Sequence, residues 1–224
     1  MARELSHPFS LAYALSWTIF VPQFCRDGRM VEAWAEALLA LATEQGFAQM
    51  SLLGMILQGW ALAAQGQGEE GIAQMRQGLA AWQGMGVKTA VPYCLTLLAE
   101  TCGANGQAAE GLRLMAEALA VVHDTGERFH EAECYRVRGA LLLMQVTPDV
   151  PQAEVCFQQA LAIARRQQAK AWELRAAMSL SRLWQQQGKR AEARELLAPL
   201  DGWFTEGFDT ADLQETRALL AELA

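Results

Sequence analysis

The amino-acid sequence predicts an all-α fold, a right-handed superhelical solenoid of about five helix pairs closed by a C-terminal capping helix. Three observations predict it. Five segments share one plan: residues 28–41 (GRMVEAWAEALLAL), 66–79 (GQGEEGIAQMRQGL), 106–119 (GQAAEGLRLMAEAL), 148–161 (PDVPQAEVCFQQAL) and 188–201 (GKRAEARELLAPLD). In each, a turn residue is followed four positions later by Glu or Gln and five later by Ala or Gly. The turn residues Gly28, Gly66, Gly106, Pro148 and Gly188 stand 38, 40, 42 and 40 residues apart, a period that fits two helices and marks a repeat array. Ahead of the turns, apolar residues recur at i, i+3, i+4 and i+7, one buried face of a helix.

Taken in order, the first helix is expected from about Phe9, with Ser6 capping its free N–H groups and Pro8 in a position that needs no donor. Its buried stripe is expected to be Trp17, Phe20, Val21 and Phe24. The equivalent stripes are Leu95, Leu98, Ala99 and Cys102 in the third pair and Ala177, Leu180, Ser181 and Trp184 in the fifth. The partner helices carry stripes of their own, such as Gly111, Leu112, Met115, Ala118, Leu119 and Val122. Small residues at 33, 71, 111, 153 and 193, matched by Gly59, Ala99 and Gly139 on the first helices, let paired axes approach closely. Gly46, Gly86 and Gly126 end partner helices in the left-handed conformation. In the fourth turn Asp149 caps and Pro151 sits in the first helical turn; in the fifth partner helix Pro199 removes a donor and kinks the chain near 197–203. The capping helix follows Asp209 or Thr210, burying Leu213, Leu220 and Leu223 and showing Asp212, Glu215 and Glu222 outward. The chain thus reads as one repeat domain, 1–224, with repeats at 8–46, 47–86, 87–126, 127–168 and 169–207 and the cap at 210–223.

Composition narrows the function. With 18 Lys and Arg against 25 Asp and Glu, the net charge of −7 repels a phosphate backbone, so neither nucleic acid nor an anionic membrane surface is expected as a partner. No run of eighteen apolar residues and no secretory leader is visible, and five cysteines without a C-x-x-C pair suit reduced thiols in a cytoplasmic protein. The string GQGEEG at 66–71 matches the dinucleotide fingerprint, but helix rather than strand precedes it and Glu69 and Glu70 would repel a phosphate. His7, His123 and His130 are scattered, and no serine stands in a G-x-S-x-G elbow. Hence no enzyme activity, cofactor or metal is expected.

These offsets resemble the tetratricopeptide repeat (TPR), whose second helix carries two alanines seven apart: here Ala33 with Ala40, Gly71 with Gly78, Gly111 with Ala118, and Ala153 with Ala160. The fifth repeat departs, with Leu200 after Ala193. The family period is about 34, so these repeats are longer, with Gly in place of the closing Pro. Residues 166–223 more narrowly resemble the C-terminal repeat regions of bacterial regulators that join a nucleotide cyclase or kinase domain to a signal-transduction ATPase. The resemblance implies a docking or sensing end whose catalysis lies in other domains.

It also implies a concave groove lined by first-helix residues. By offset these are Leu53, Ile56, Trp60 and Ala63; Tyr93, Thr96, Glu100 and Gly103; Glu133, Arg136, Ala140 and Leu143; Arg175, Met178, Arg182 and Gln185. Trp60 and Tyr93 beside Glu100, Arg136, Arg175 and Arg182 have the composition of a binding surface, apolar at its N-terminal half and charged at its C-terminal half. The groove is expected to dock a protein or peptide segment, or alternatively to sense a small ligand. The first helix, apolar on more than one face, is expected to be covered by an upstream ATPase or cyclase domain or by a second copy in a homodimer.

Overall fold

The computed structural model describes residues 7–224, and the twelve regular elements among the described residues are all helices. They are α1 (Pro8–Thr18), α2 (Phe20–Phe24), α3 (Gly28–Gln45), α4 (Ala48–Ala64), α5 (Gly68–Gly84), α6 (Val91–Ala104), α7 (Ala108–Thr125), α8 (Glu131–Leu143), α9 (Val150–Gln167), α10 (Lys170–Gln186), α11 (Arg190–Asp201) and α12 (Ala211–Glu222). From α3 onward each helix packs on the next, and α4, α6, α8, α10 and α12 also touch in sequence as an inner layer. The expected solenoid of helix pairs with a closing helix is what forms.

Close approach within the pairs rests on small residues. A Cβ on Gly71 would collide with the Gly59 carbonyl oxygen, and one on Gly111 would stand 2.9 Å from the Ala99 oxygen. The helix stops at Gly46, Gly86 and Gly126 have φ near +70° as the sequence predicts. Asp149 accepts a 3.1 Å hydrogen bond from the Gln152 N–H, and α11 ends two residues past Pro199.

The first repeat departs from its reading in three ways. Ser6 lies outside the described residues; His7 is the N-cap, its Nδ1 accepting from the Ser10 N–H at 3.2 Å. The helix is interrupted at Ile19 because Pro22 has no N–H to give the Thr18 carbonyl. The buried stripe is Ala12, Leu15, Ile19 and Gln23, so Trp17 and Val21 are turned out, 59% and 63% exposed.

The repeat phase also shifts. N-caps fall at Asp27, Gln67, Gln107, Asp149 and Lys189, spaced 40, 40, 42 and 40, which puts Arg26 rather than Gly28 at the turn position of Gly66, Gly106 and Gly188. Arg26 adopts the same left-handed conformation, φ 61°, at a cost its glycine equivalents escape. Val31 and Leu38 therefore take the places of Gly71 and Gly78, while Ala33 and Ala40, expected at the contact, are exposed.

Four of the five cysteines are buried, and all five are free thiols. Burial pushes Cys94 and Cys134 up to about 12, far from the thiolate form that reacts.

Candidate functional site

The inner helices of this array meet across its axis. Phe20 of α2 packs 5.2 Å from Tyr93 of α6, Phe24 packs 5.2 Å from Trp172 of α10, and His130, just before α8, stands edge-on to both Tyr93 and Trp172 at 5.1 and 5.3 Å. The Tyr93 hydroxyl donates to Gln23 Oε1 at 2.9 Å. Burial holds His130 down at about 4, neutral at physiological pH, and its Nδ1 has no partner.

A chain of alternating charges passes beside this aromatic centre, buried in its middle and open to solvent at both ends. Glu100 of α6 accepts from Arg136 of α8 at 2.6 Å, Arg136 also reaches Glu133 at 2.9 Å, and Glu133 faces Arg175 of α10 at 3.5 Å. Arg175 donates to Asp212 of α12 at 2.6 Å and to the Phe24 carbonyl oxygen. Asp212 faces Arg26 at 3.2 Å, Arg26 also contacts Glu215, and Glu215 accepts from Arg182 at 2.7 Å. Four arginines thus offset four carboxylates and tie the first turn of the chain to its last helix.

Desolvation sets the character of this chain. Burial opposes charge on Glu133, yet the Arg136 and Arg175 guanidiniums outweigh it and hold the carboxyl down at about 2. Asp212 and Glu215, expected to point outward from the cap, are instead turned toward the arginines of the axis.

The six residues read from the sequence are brought to this axis, though not as an open wall. Trp60, Glu100, Arg136, Arg175 and Arg182 line one cavity of 70 Å³, together with Gln23, Arg26, Asp212 and Glu215. Tyr93 sits behind it, fully buried, and Trp60, Arg136 and Arg175 are nearly so. The expected exposure of Trp60, Tyr93 and Arg136 fails because α2 and α12 fill the space in front of them. A volume of 70 Å³ holds about two waters at roughly 30 Å³ each. Arg26, Asp212 and Glu215 were not among the groove residues read from sequence; their partners lie up to 189 positions away, beyond any local pattern.

Beside the axis a trough opens over α8, α10 and α12. A 340 Å³ recess has an apolar floor that includes Ala140, Leu143 and Phe157, and Glu100, Arg136, Met144 and Arg182 also line it. A second recess of 280 Å³ continues past Arg182 to Glu215, Leu219 and Glu222. No group of three metal-ligating side chains occurs among the described residues, and none of their helices is long and apolar enough to cross a membrane.

No known protein family's profile matches the chain, and no curated protein does. Among solved structures it is similar to a putative kinesin light chain of Podosopora anserina with nearly identical TPR-like repeats. The alignment covers 97% of this chain and 98% of that one at 20% identity and a TM-score of 0.58; a point-substituted form of the same protein gives 97%, 97%, 20% and 0.59. The fold is TPR-like. At that identity the likeness carries fold alone, so function rests on the trough and the axis.

Proposed function

We propose that this chain is a non-enzymatic docking module that takes a protein or peptide segment in the trough over α8, α10 and α12. We read it as one domain, the docking or sensing end of a cytoplasmic signalling regulator. The observation that carries this reading is the pair of contiguous recesses of 340 and 280 Å³ that share Arg182, an elongated space suited to a chain segment. The inner ionisable groups are consumed by one another, which favours binding over chemistry. The resemblance of residues 166–223 to the repeat regions of cyclase- or kinase-linked ATPase regulators supports the signalling setting. Small-ligand sensing is a second reading, favoured by one fact: 340 Å³ falls within the roughly 300–1,000 Å³ of ligand pockets.

The test is a random-sequence peptide library panned against the chain. Selected peptides are expected to lose at least tenfold in affinity, by calorimetry, on Met144→Glu or Arg182→Ala. Both side chains are half-exposed at the rim, so the fold should be kept. Peptides indifferent to both substitutions would sink the trough reading.

A further inference from the structure

The last helix is joined to the first repeat by side chains. α12 comes within 8 Å, Cα to Cα, of α10 and α11 and of no other helix, yet its carboxylates reach the first turn of the chain. Asp212 and Glu215 stand at i and i+3 on one face, and each of their four carboxylate oxygens meets a guanidinium: Arg175 and Arg26 for Asp212, Arg26 and Arg182 for Glu215. Glu222 continues that face, accepting from Gln185 at 3.1 Å. Leu213, Thr216, Leu219 and Leu223 are buried. α12 is thus an amphipathic helix laid with its acidic face on three arginines.

Three features make this contact releasable. A cleft of 940 Å³, lined among others by Arg29, Gln65, Thr210 and Gln214, separates the start of α12 from the first repeat, and the ion pairs of Arg26 bridge it. The outer groups are partly in water, Arg26 37% exposed, Glu215 39% and Arg182 47%, and pairs so exposed are screened and weak. Residues 202–210, between α11 and α12, form the longest connection between consecutive helices of the array, enough chain for α12 to leave while tethered. What α12 covers specifies what can replace it. With Asp212 and Glu215 withdrawn, Glu133 is the one carboxylate among the described residues still paired with any of the three arginines. A neutral or basic occupant would strand that positive charge, whereas an acidic one compensates it. The fitting occupant repeats the chemistry of α12: carboxylates three residues apart on a helix whose other face carries leucines.

We propose that α12 is a tethered latch that fills, in cis, the docking site of a partner's acidic amphipathic helix, and that its release uncovers Arg26, Arg175 and Arg182. Tethering holds α12 at a local concentration on the order of millimolar, so the intact chain refuses a helix that a weakened latch admits. The inference does not rest on the trough reading, and Met144 has no part in it.

The probe is an amidated peptide of residues 209–223 with fluorescein at its N-terminus, added to the full chain and followed by anisotropy. It is expected to bind the double variant Asp212→Asn with Glu215→Gln, whose latch loses its charges and keeps its shape, at least tenfold tighter than the parent chain. A probe carrying the same two changes should lose that gain, and Arg182→Ala added to the double variant should weaken binding at least fivefold. A second measurement needs no variant. In the parent chain the amides of residues 215–221 are expected to exchange with deuterium at least tenfold faster than those of 174–183 in α10, and faster still in added salt. The proposal is overturned if the probe binds variant and parent alike, if its uncharged form binds as well, or if α12 exchanges as slowly as α10 or is indifferent to salt. A dimer in sedimentation that the double variant dissociates would also overturn it, since the site would then belong to a second copy.

Discussion

Arg175 and Arg182 stand two turns apart on α10 and belong to one chain of charges, yet they meet opposite conditions. Arg175 is 10% exposed and bonded to Asp212, Glu133 and the Phe24 carbonyl; Arg182 is 47% exposed and holds Glu215 alone. The same guanidinium chemistry is structural where water is excluded and adaptable where it is not. Removing one member of a buried pair strands the other charge, whereas exposed pairs are screened and contribute little. A partner can therefore compete for the exposed members, Arg26, Arg182 and Glu215 at one end and Glu100 at the other.

Breaking the inner half gives the largest expected effect. Glu133→Ala leaves Arg136 and Arg175 facing each other with less compensation, and should cost about 3–5 kcal/mol of stability, read from denaturant melts. A loss under about 1 kcal/mol would mean that the inner half behaves like the surface.

Acid probes the same region. His130 has a folded pKa of about 4 against 6.5, so the unfolded chain takes its proton first; its stability contribution is complete above pH 6.5 and lost as pH falls through 4. Glu133, at about 2 against 4.5, adds a further loss below pH 4.5, with the same sign. The His130 share is about 3 kcal/mol by pH 4, and His130→Phe should flatten the melts between pH 6.5 and 4. An unchanged slope in that variant would assign the acid sensitivity elsewhere.

The smallest effect is expected at the outer end. Arg26→Gly relieves a left-handed arginine, worth about 1–2 kcal/mol, and loses two partly exposed ion pairs, to Asp212 and Glu215, of about 0.2–1 kcal/mol each. The net change should stay within about 1–2 kcal/mol, and the stability of the variant should fall less with added salt than that of the parent chain. Equal salt dependence would show that the seam between first turn and last helix is not electrostatic.

Most of the fold was legible because its causes are local. Turn glycines, close-approach pairs such as Gly71 with Gly59, and the Asp149 cap act within one repeat, and the sequence states each. The first repeat misled for an equally local reason: residues 28–41 imitate the shared plan two positions out of phase, and only packing shows that Val31, not Ala33, meets the neighbouring helix. The residues at the axis were reached through the resemblance to the tetratricopeptide repeat, whose offsets place them on the first helix of each pair. Their burial was not legible.

The amino-acid sequence by itself determined the helix pairs and their period near 40 residues, since each follows from helical geometry and turn chemistry, and the family resemblance added which positions face the axis. The tertiary structure alone decided that the array closes on itself. That closure depends on contacts between residues far apart in the chain, Phe20 and Gln23 against Tyr93 and Asp212 against Arg175 and Arg26, and it converts Tyr93 and Arg175 from surface into core.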